Sequence, residues 1–106
     1  MRSYADVVFR NLDFSPALHE VINKKIQKLH RYSDSILHSR VVLGSPHQHK
    51  HKGKLFRASI ELGLKGSPLK VSHDDQSVHI AVRDAFAAAE RKLKEQLNRR
   101  KHIIRH

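Results

Sequence analysis

His47, His49 and His51 alternate along the chain, and in an extended hairpin they project to one side, an arrangement that could offer imidazole nitrogens to a transition metal. Against a metal, the interleaved Lys50 and Lys52 repel a divalent cation, and no carboxylate stands near in sequence. The segment is expected to hold no metal or other cofactor and to act as a basic contact finger whose charge grows below about pH 6.5, where imidazole protonates. Asp74 and Asp75 are adjacent carboxylates; at a helix start neighbours diverge, so they are expected to serve as caps and dipole partners, not as an acid and base pair. The four glycines are scattered at turns, with no phosphate-cradling loop. The absence of cysteine removes thiolate chemistry, disulfides and most structural zinc sites. The expectation is a non-enzymatic protein with no small-molecule substrate.

Twenty-one Lys and Arg against ten Asp and Glu give a formal charge of +11 before any of the ten His take up protons. Such an excess repels itself and calls for an anionic partner: nucleic acid, an anionic membrane surface or an acidic protein. No apolar run approaches the roughly 20 residues needed to span a bilayer, and Asp6 interrupts the N-terminal stretch where a secretion signal is uniformly apolar. A soluble, cytoplasmic protein without a membrane partner is expected.

The arrangement of the charge says more than its total. At about 100° per residue, Lys24, Lys28 and Arg31 fall on an arc beside the apolar stripe of a first helix, with Lys25 at its margin next to Val21. On a second helix Arg83, Lys94 and Lys101 share a face, Arg91 lies nearby, and Lys92 and Arg99 line the opposite flank. Arg100, His102, Arg105 and His106 continue a basic tail from about residue 99. Solvated helices ordinarily mix signs to form i,i+4 pairs, whereas the first helix sets only Glu20 against four cations. A one-sided basic surface suits phosphates, with binding driven by counterion release and weakened by salt. Six aromatics without Trp, of which Phe9 and Phe56 read as core, argue against a stacking platform for single strands. No helix-turn-helix or zinc spacing supports base readout of DNA. Folded RNA recognised by shape is the expected ligand.

These side chains need a scaffold, and 106 residues suffice for one domain, 1–106, with one core. Ser3 to Phe9 reads as a short strand. Ser15-Pro16 is a helix start, after which Leu18, Val21, Ile22, Ile26 and Leu29 recur at helical spacing to about Arg31. Arg40 to Leu43 and Leu55 to Leu64 read as strands joined by a long polar hairpin loop, Ser45 to Lys54. Gly66-Ser67-Pro68 makes the next turn and Leu69 to Ser72 a fourth strand, so the last three strands form an antiparallel meander. Val78, Val82, Ala85, Phe86, Ala89, Leu93 and Leu97 then line one face of a long helix. The expected fold is α+β: a two-layer β-α-β-β-β-α sandwich, a four-stranded sheet with both helices on one face.

The ordered set Phe9-Arg10-Asn11, Ser15-Pro16-Ala17-Leu18, Lys25, Lys28-Leu29 and Tyr32 resembles the opening of the ribosome hibernation promoting factor and ribosome-associated inhibitor (protein Y) family, also called the sigma-54 modulation protein family. Leu69-Lys70-Val71-Ser72, Ala81-Val82-Arg83-Asp84-Ala85 and Arg91-Lys92-Leu93 extend the resemblance over nearly the whole chain, with His79 where the family often has Tyr and Arg83 where an acid is common. The resemblance implies a fold like a double-stranded-RNA-binding domain. It also implies a single ribosome-binding domain of short-form type that lodges in the mRNA and tRNA channel of the small ribosomal subunit and idles ribosomes under stress or in stationary phase. It maps rRNA-facing positions to Lys25, Lys28 and Arg91, with Lys92 and Lys94 as neighbours, and short promoting factors are associated with a second ribosome modulation factor. Two other readings fit the composition: a general double-stranded-RNA binder or chaperone, and a regulator acting through an acidic protein partner.

Overall fold

Period-two alternation along the strands determines which side of the sheet is buried. The computed structural model describes residues 5–45, 48–49 and 53–104, with side chains over 5–45 and 55–99. Its elements run β1 (Ala5–Arg10), α1 (Pro16–Tyr32), β2 (Ile36–Gly44), β3 (Gln48–His49), β4 (Gly53–Lys54), β5 (Phe56–Leu64), β6 (Leu69–Asp75) and α2 (Val78–Ile104). The main sheet has the order β1-β2-β5-β6, and β3 and β4 pair as a separate two-stranded ribbon. Ser39, Val41 and Leu43 of β2, Ala58, Ile60 and Leu62 of β5, and Leu69 of β6 are buried on one face. Both helices lie on that face: Leu18, Ile22, Ile26 and Leu29 of α1 and Ala81, Val82, Ala85, Phe86, Ala89 and Leu93 of α2 complete a single core. The expected two-layer α+β sandwich is the one observed.

Hydroxyl caps mark both helix starts. Ser15 caps α1, its Oγ accepting the Leu18 N–H at 3.2 Å, with Pro16 in the first turn, where a missing N–H costs nothing. Phe14, just before the cap, sets its ring against that of His19 in the first full turn, with centroids 5.5 Å apart and planes tilted by 55°, at the two positions of a hydrophobic staple. Ser77 caps α2 by accepting the Ile80 N–H, and Asp75 accepts the Ser77 N–H at 2.8 Å. At the turn into β6, Gly66 has φ 100°, the left-handed region that glycine enters without a Cβ penalty.

Several boundaries and neighbours differ from the sequence reading. The expected meander β2-β5-β6 is antiparallel, but β1 lies parallel to β2 at the sheet edge, with α1 as the crossover that parallel neighbours require. β2 begins at Ile36, not Arg40; an irregular register between Ile36 and His38 hides its start from a period-two reading. β6 continues to Asp75, so Asp74 is no helix cap. It faces Arg57 across the ladder, and Arg57 donates Nε–H to Asp74 Oδ1 at 2.8 Å and a second bond to Oδ2 at 3.1 Å. Val21, expected in the apolar stripe, is 40% exposed at its margin. The basic segment from residue 99 is helical in backbone through Ile104, hence a continuation of α2 and not a tail beyond it. Among the residues described with side chains, Leu97 is the last of α2 packed against the core.

One polar contact ties the layers together. His30 of α1 shares a 2.9 Å hydrogen bond between its Nε2 and Oγ of Ser39, which is 2% exposed in β2. Burial pushes the His30 pKa below its usual 6.5, so the fold favours the neutral ring. A depressed histidine pKa contributes stability above the unfolded value, and this contribution is lost as pH falls through about 6.5 toward the folded value. Acidification from pH 7 to 5 is expected to lower the midpoint of thermal unfolding more in the wild type than in His30→Gln, as read by circular dichroism at matched ionic strength; parallel profiles would remove His30 as the source. Leu93, fully buried, is the deeper anchor: Leu93→Ala is expected to cost about 2 to 5 kcal/mol in denaturant unfolding through the cavity it leaves, and a silent change would mean the buried face of α2 is misassigned.

Candidate nucleic-acid interface

Because α1 and α2 lie side by side on one sheet face, the residues flanking their buried stripes confront each other. On α1 this flank carries Lys25, Lys28 and Tyr32; on α2 it carries Arg83, Ala87, Glu90 and Lys94. Lys25, Lys28, Arg83, Phe86, Ala87 and Glu90 line one shallow cleft of about 160 Å³. Lys28, Arg31, Tyr32 and Glu90 line a second of about 190 Å³. Between them the clefts form an open basic groove whose walls come from segments some 55 residues apart in sequence. Neither cleft reaches the roughly 300 Å³ at which small-molecule pockets begin. The shape suits an extended anionic surface lying along the groove.

The electrostatics of the groove are one-sided. Glu20 is paired with Lys24 at 3.9 Å, Glu90 with Lys94 at 3.5 Å and Asp84 with Arg83 at 3.3 Å, all solvent-accessible contacts between near neighbours on one helix. Exposed pairs of this kind are each worth about 0.2 to 1 kcal/mol and exchange readily for a stronger anion. Lys25, Lys28, Arg31 and Arg91 enter none of the ion pairs among the described residues. The Lys94 ammonium stands 5.5 Å from the centre of the Tyr32 ring, which joins the two walls and holds an aromatic surface, 46% exposed, within the basic strip.

The sequence-predicted residues divide into groups. Lys25, Lys28, Arg31, Arg83 and Lys94 meet in the groove. Lys24 and Arg91 are exposed on the outer surfaces of their helices, and Lys92 and Arg99 occupy the flank of α2 turned away from α1. Arg100 and Lys101 lie on the helical backbone of α2 beyond the described side chains. His47 and His51 fall outside the described residues, and His49 is described only by its backbone in β3. Among the described residues no cluster of His, Cys, Asp or Glu could hold a metal ion, and no helix is long and apolar enough to cross a membrane. Composition did not single out Tyr32; it stands beside the first-helix lysines, and the packing of α2 alongside brings Lys94 over its ring.

The profile of the sigma 54 modulation protein / S30EA ribosomal protein family matches residues 5–101, from the first strand to the last turns of α2. The chain belongs to this family. Among solved structures, the S30EA chain is similar to the N-terminal domain of Thermus thermophilus protein Y, at 30% identity and a TM-score of 0.72 over 90% of this chain and 98% of that one. It is also similar to a ribosomal subunit interface protein from Coxiella burnetii, at 18% identity and a TM-score of 0.75 over 89% and 97% of the two chains, a likeness of fold. A sequence comparison with curated proteins finds no match. Membership makes this a ribosome-associated type of protein.

Proposed function

We propose that this chain is a non-enzymatic hibernation factor that binds rRNA of the small ribosomal subunit in the channel used by mRNA and tRNA, and so idles ribosomes in the cytoplasm under stress or in stationary phase. The observation that carries the reading is the convergence of Lys25 and Lys28 from α1 with Arg83 from α2 on one open groove, with neither lysine in an ion pair among the described residues. A ribosomal protein family supplies the anion: a phosphate backbone of fixed curvature, to which two rigid helix flanks can be fitted in advance. Arg31 and Lys94 extend the contact along the groove, and Tyr32 offers a ring face to a sugar or an unstacked base. Lys24 and Arg91 add longer-range attraction from the adjoining outer surfaces.

The test is co-sedimentation with purified small subunits across a salt series, beside a naked RNA duplex and with initiator tRNA plus mRNA as competitor. Saturable binding that tRNA displaces, tighter than binding to duplex, is the expected result. Lys25→Ala, Lys28→Ala and Arg83→Ala together should flatten the slope of log affinity against log salt by about 0.7 to 0.9 per lost phosphate contact, whereas Lys92→Ala with Arg99→Ala should leave it unchanged. Equal affinity for subunit and duplex would make the chain a general RNA binder. Retention on a partner after nuclease digestion would point to a protein-directed regulator.

A further inference from the structure

The sheet face opposite the helices is uncovered among the described residues, and its side chains are ordered by charge. The strand register aligns Asp6 of β1, Arg40 of β2, Glu61 of β5 and Lys70 of β6 in one row across the sheet. The next row is Val8, Val42, Ser59 and Ser72, and the third is Arg10, Gly44, Arg57 and Asp74. The first row therefore reads minus, plus, minus, plus from one edge to the other. Cross-strand neighbours of opposite charge ordinarily pair within their own sheet. Arg57 and Asp74 do so, but Asp6, Arg40, Glu61 and Lys70 enter no ion pair among the described residues. Two shallow clefts open on this face. One of about 290 Å³ is lined by Arg40, Glu61, Lys70 and Ser72, and one of about 330 Å³ by Arg10, Gly44, Ser45 and Arg57.

An alternating row of four is its own complement when reversed. A two-fold axis parallel to the strands, lying above the sheet between β2 and β5, sets β1 over β6 of a second copy and β2 over β5, with each row facing itself in reverse. Asp6 then faces Lys70 of the other copy, Arg40 faces Glu61, and Arg10 faces the Asp74 carboxylate already bonded to Arg57. Val42 and Val8 meet Ser59 and Ser72. These rows carry four bases against three acids, so the excess charge that would repel a second molecule resides mainly elsewhere in the chain. From these observations we propose that the open sheet face is a self-complementary surface on which a second copy of this chain docks, face to face, as an isologous β-sandwich.

Four strands at ~4.8 Å spacing and ~20 Å length offer roughly 400 Å² of sheet per copy, below the size of a standard stable interface, so the dimer belongs to the weak, reversible class. Aligned sheets cross at about 30°, which carries the outer strands out of register and leaves Arg40 and Glu61, nearest the axis, as the decisive pair.

The experiment is sedimentation velocity of nuclease-treated, RNA-free protein from 10 μM to 1 mM at about 0.15 M salt, where screening over about 8 Å limits the repulsion between the distant cations of the two copies. A concentration-dependent rise toward dimer is expected. Arg40→Glu sets Glu against Glu61 of the other copy, and Glu61→Arg sets Arg against Arg40; each variant alone should remain monomeric. Mixed in equal amounts they restore every facing pair, so the mixture should recover the wild-type shift while neither component shows it. A charge row serving only its own sheet predicts no such cross-association. A wild type that is monomeric throughout, single variants that associate as the wild type does, or a mixture that behaves as the sum of its components would each overturn the proposal.

Discussion

One-sided burial of the sheet is the constraint on which the rest of the molecule depends. The inward residues of β2 and β5 run Ser39, Val41, Leu43 and Ala58, Ile60, Leu62, while their outward neighbours Arg40, Ser59 and Glu61 are polar. Water can be excluded from one face only, and two amphipathic helices must share it. They therefore lie side by side, and whatever flanks their apolar stripes is brought face to face. The groove follows from packing: Lys25 and Lys28 stand one step off the stripe carrying Ile22, Ile26 and Leu29, and Arg83 stands one residue from Val82. The same packing leaves the other sheet face to be occupied by ordered charge.

Much of this was legible in the sequence because local signals and global packing agree. Ser15-Pro16 could only open a helix, and the stripe from Val82 to Leu93 has a single periodic reading. What was not legible depends on which elements become neighbours. Nothing in Ser3 to Phe9 says whether the first strand pairs with the second or the last, or in which direction. Asp74 looked like a cap because it stands near a helix start; only the register that sets it opposite Arg57 makes it a cross-strand partner, and that guanidinium holds its carboxyl below the ordinary carboxylate range. The basic residues were all visible, but their division between groove, outer surface and far flank required the crossing of two helices. The charge row Asp6, Arg40, Glu61 and Lys70 spans four segments and exists only once three registers are fixed.

The two faces follow different electrostatic rules. On the helical side cations outnumber the acids, and Glu20, Asp84 and Glu90 are held in exposed pairs with near neighbours on the same helix, which leaves a surface that gains most from a polyanion. On the sheet side the row Asp6, Arg40, Glu61 and Lys70 alternates in sign and the face as a whole nearly balances, which suits a surface of similar polarity. A chain of +11 keeps its long-range attraction for phosphate and still carries a region that does not repel a second copy.

In the proposed function the helical groove, and not the sheet, faces rRNA. Since the chain has no cysteine, single-cysteine variants can carry a tethered iron–EDTA probe at one defined place. Ala87→Cys puts the probe in the groove and Ser72→Cys puts it on the open sheet. With either variant bound to small subunits, the account predicts localised hydroxyl-radical scission of rRNA from position 87 and little from position 72. Strong scission from position 72, with none from position 87 while binding is retained, would contradict it.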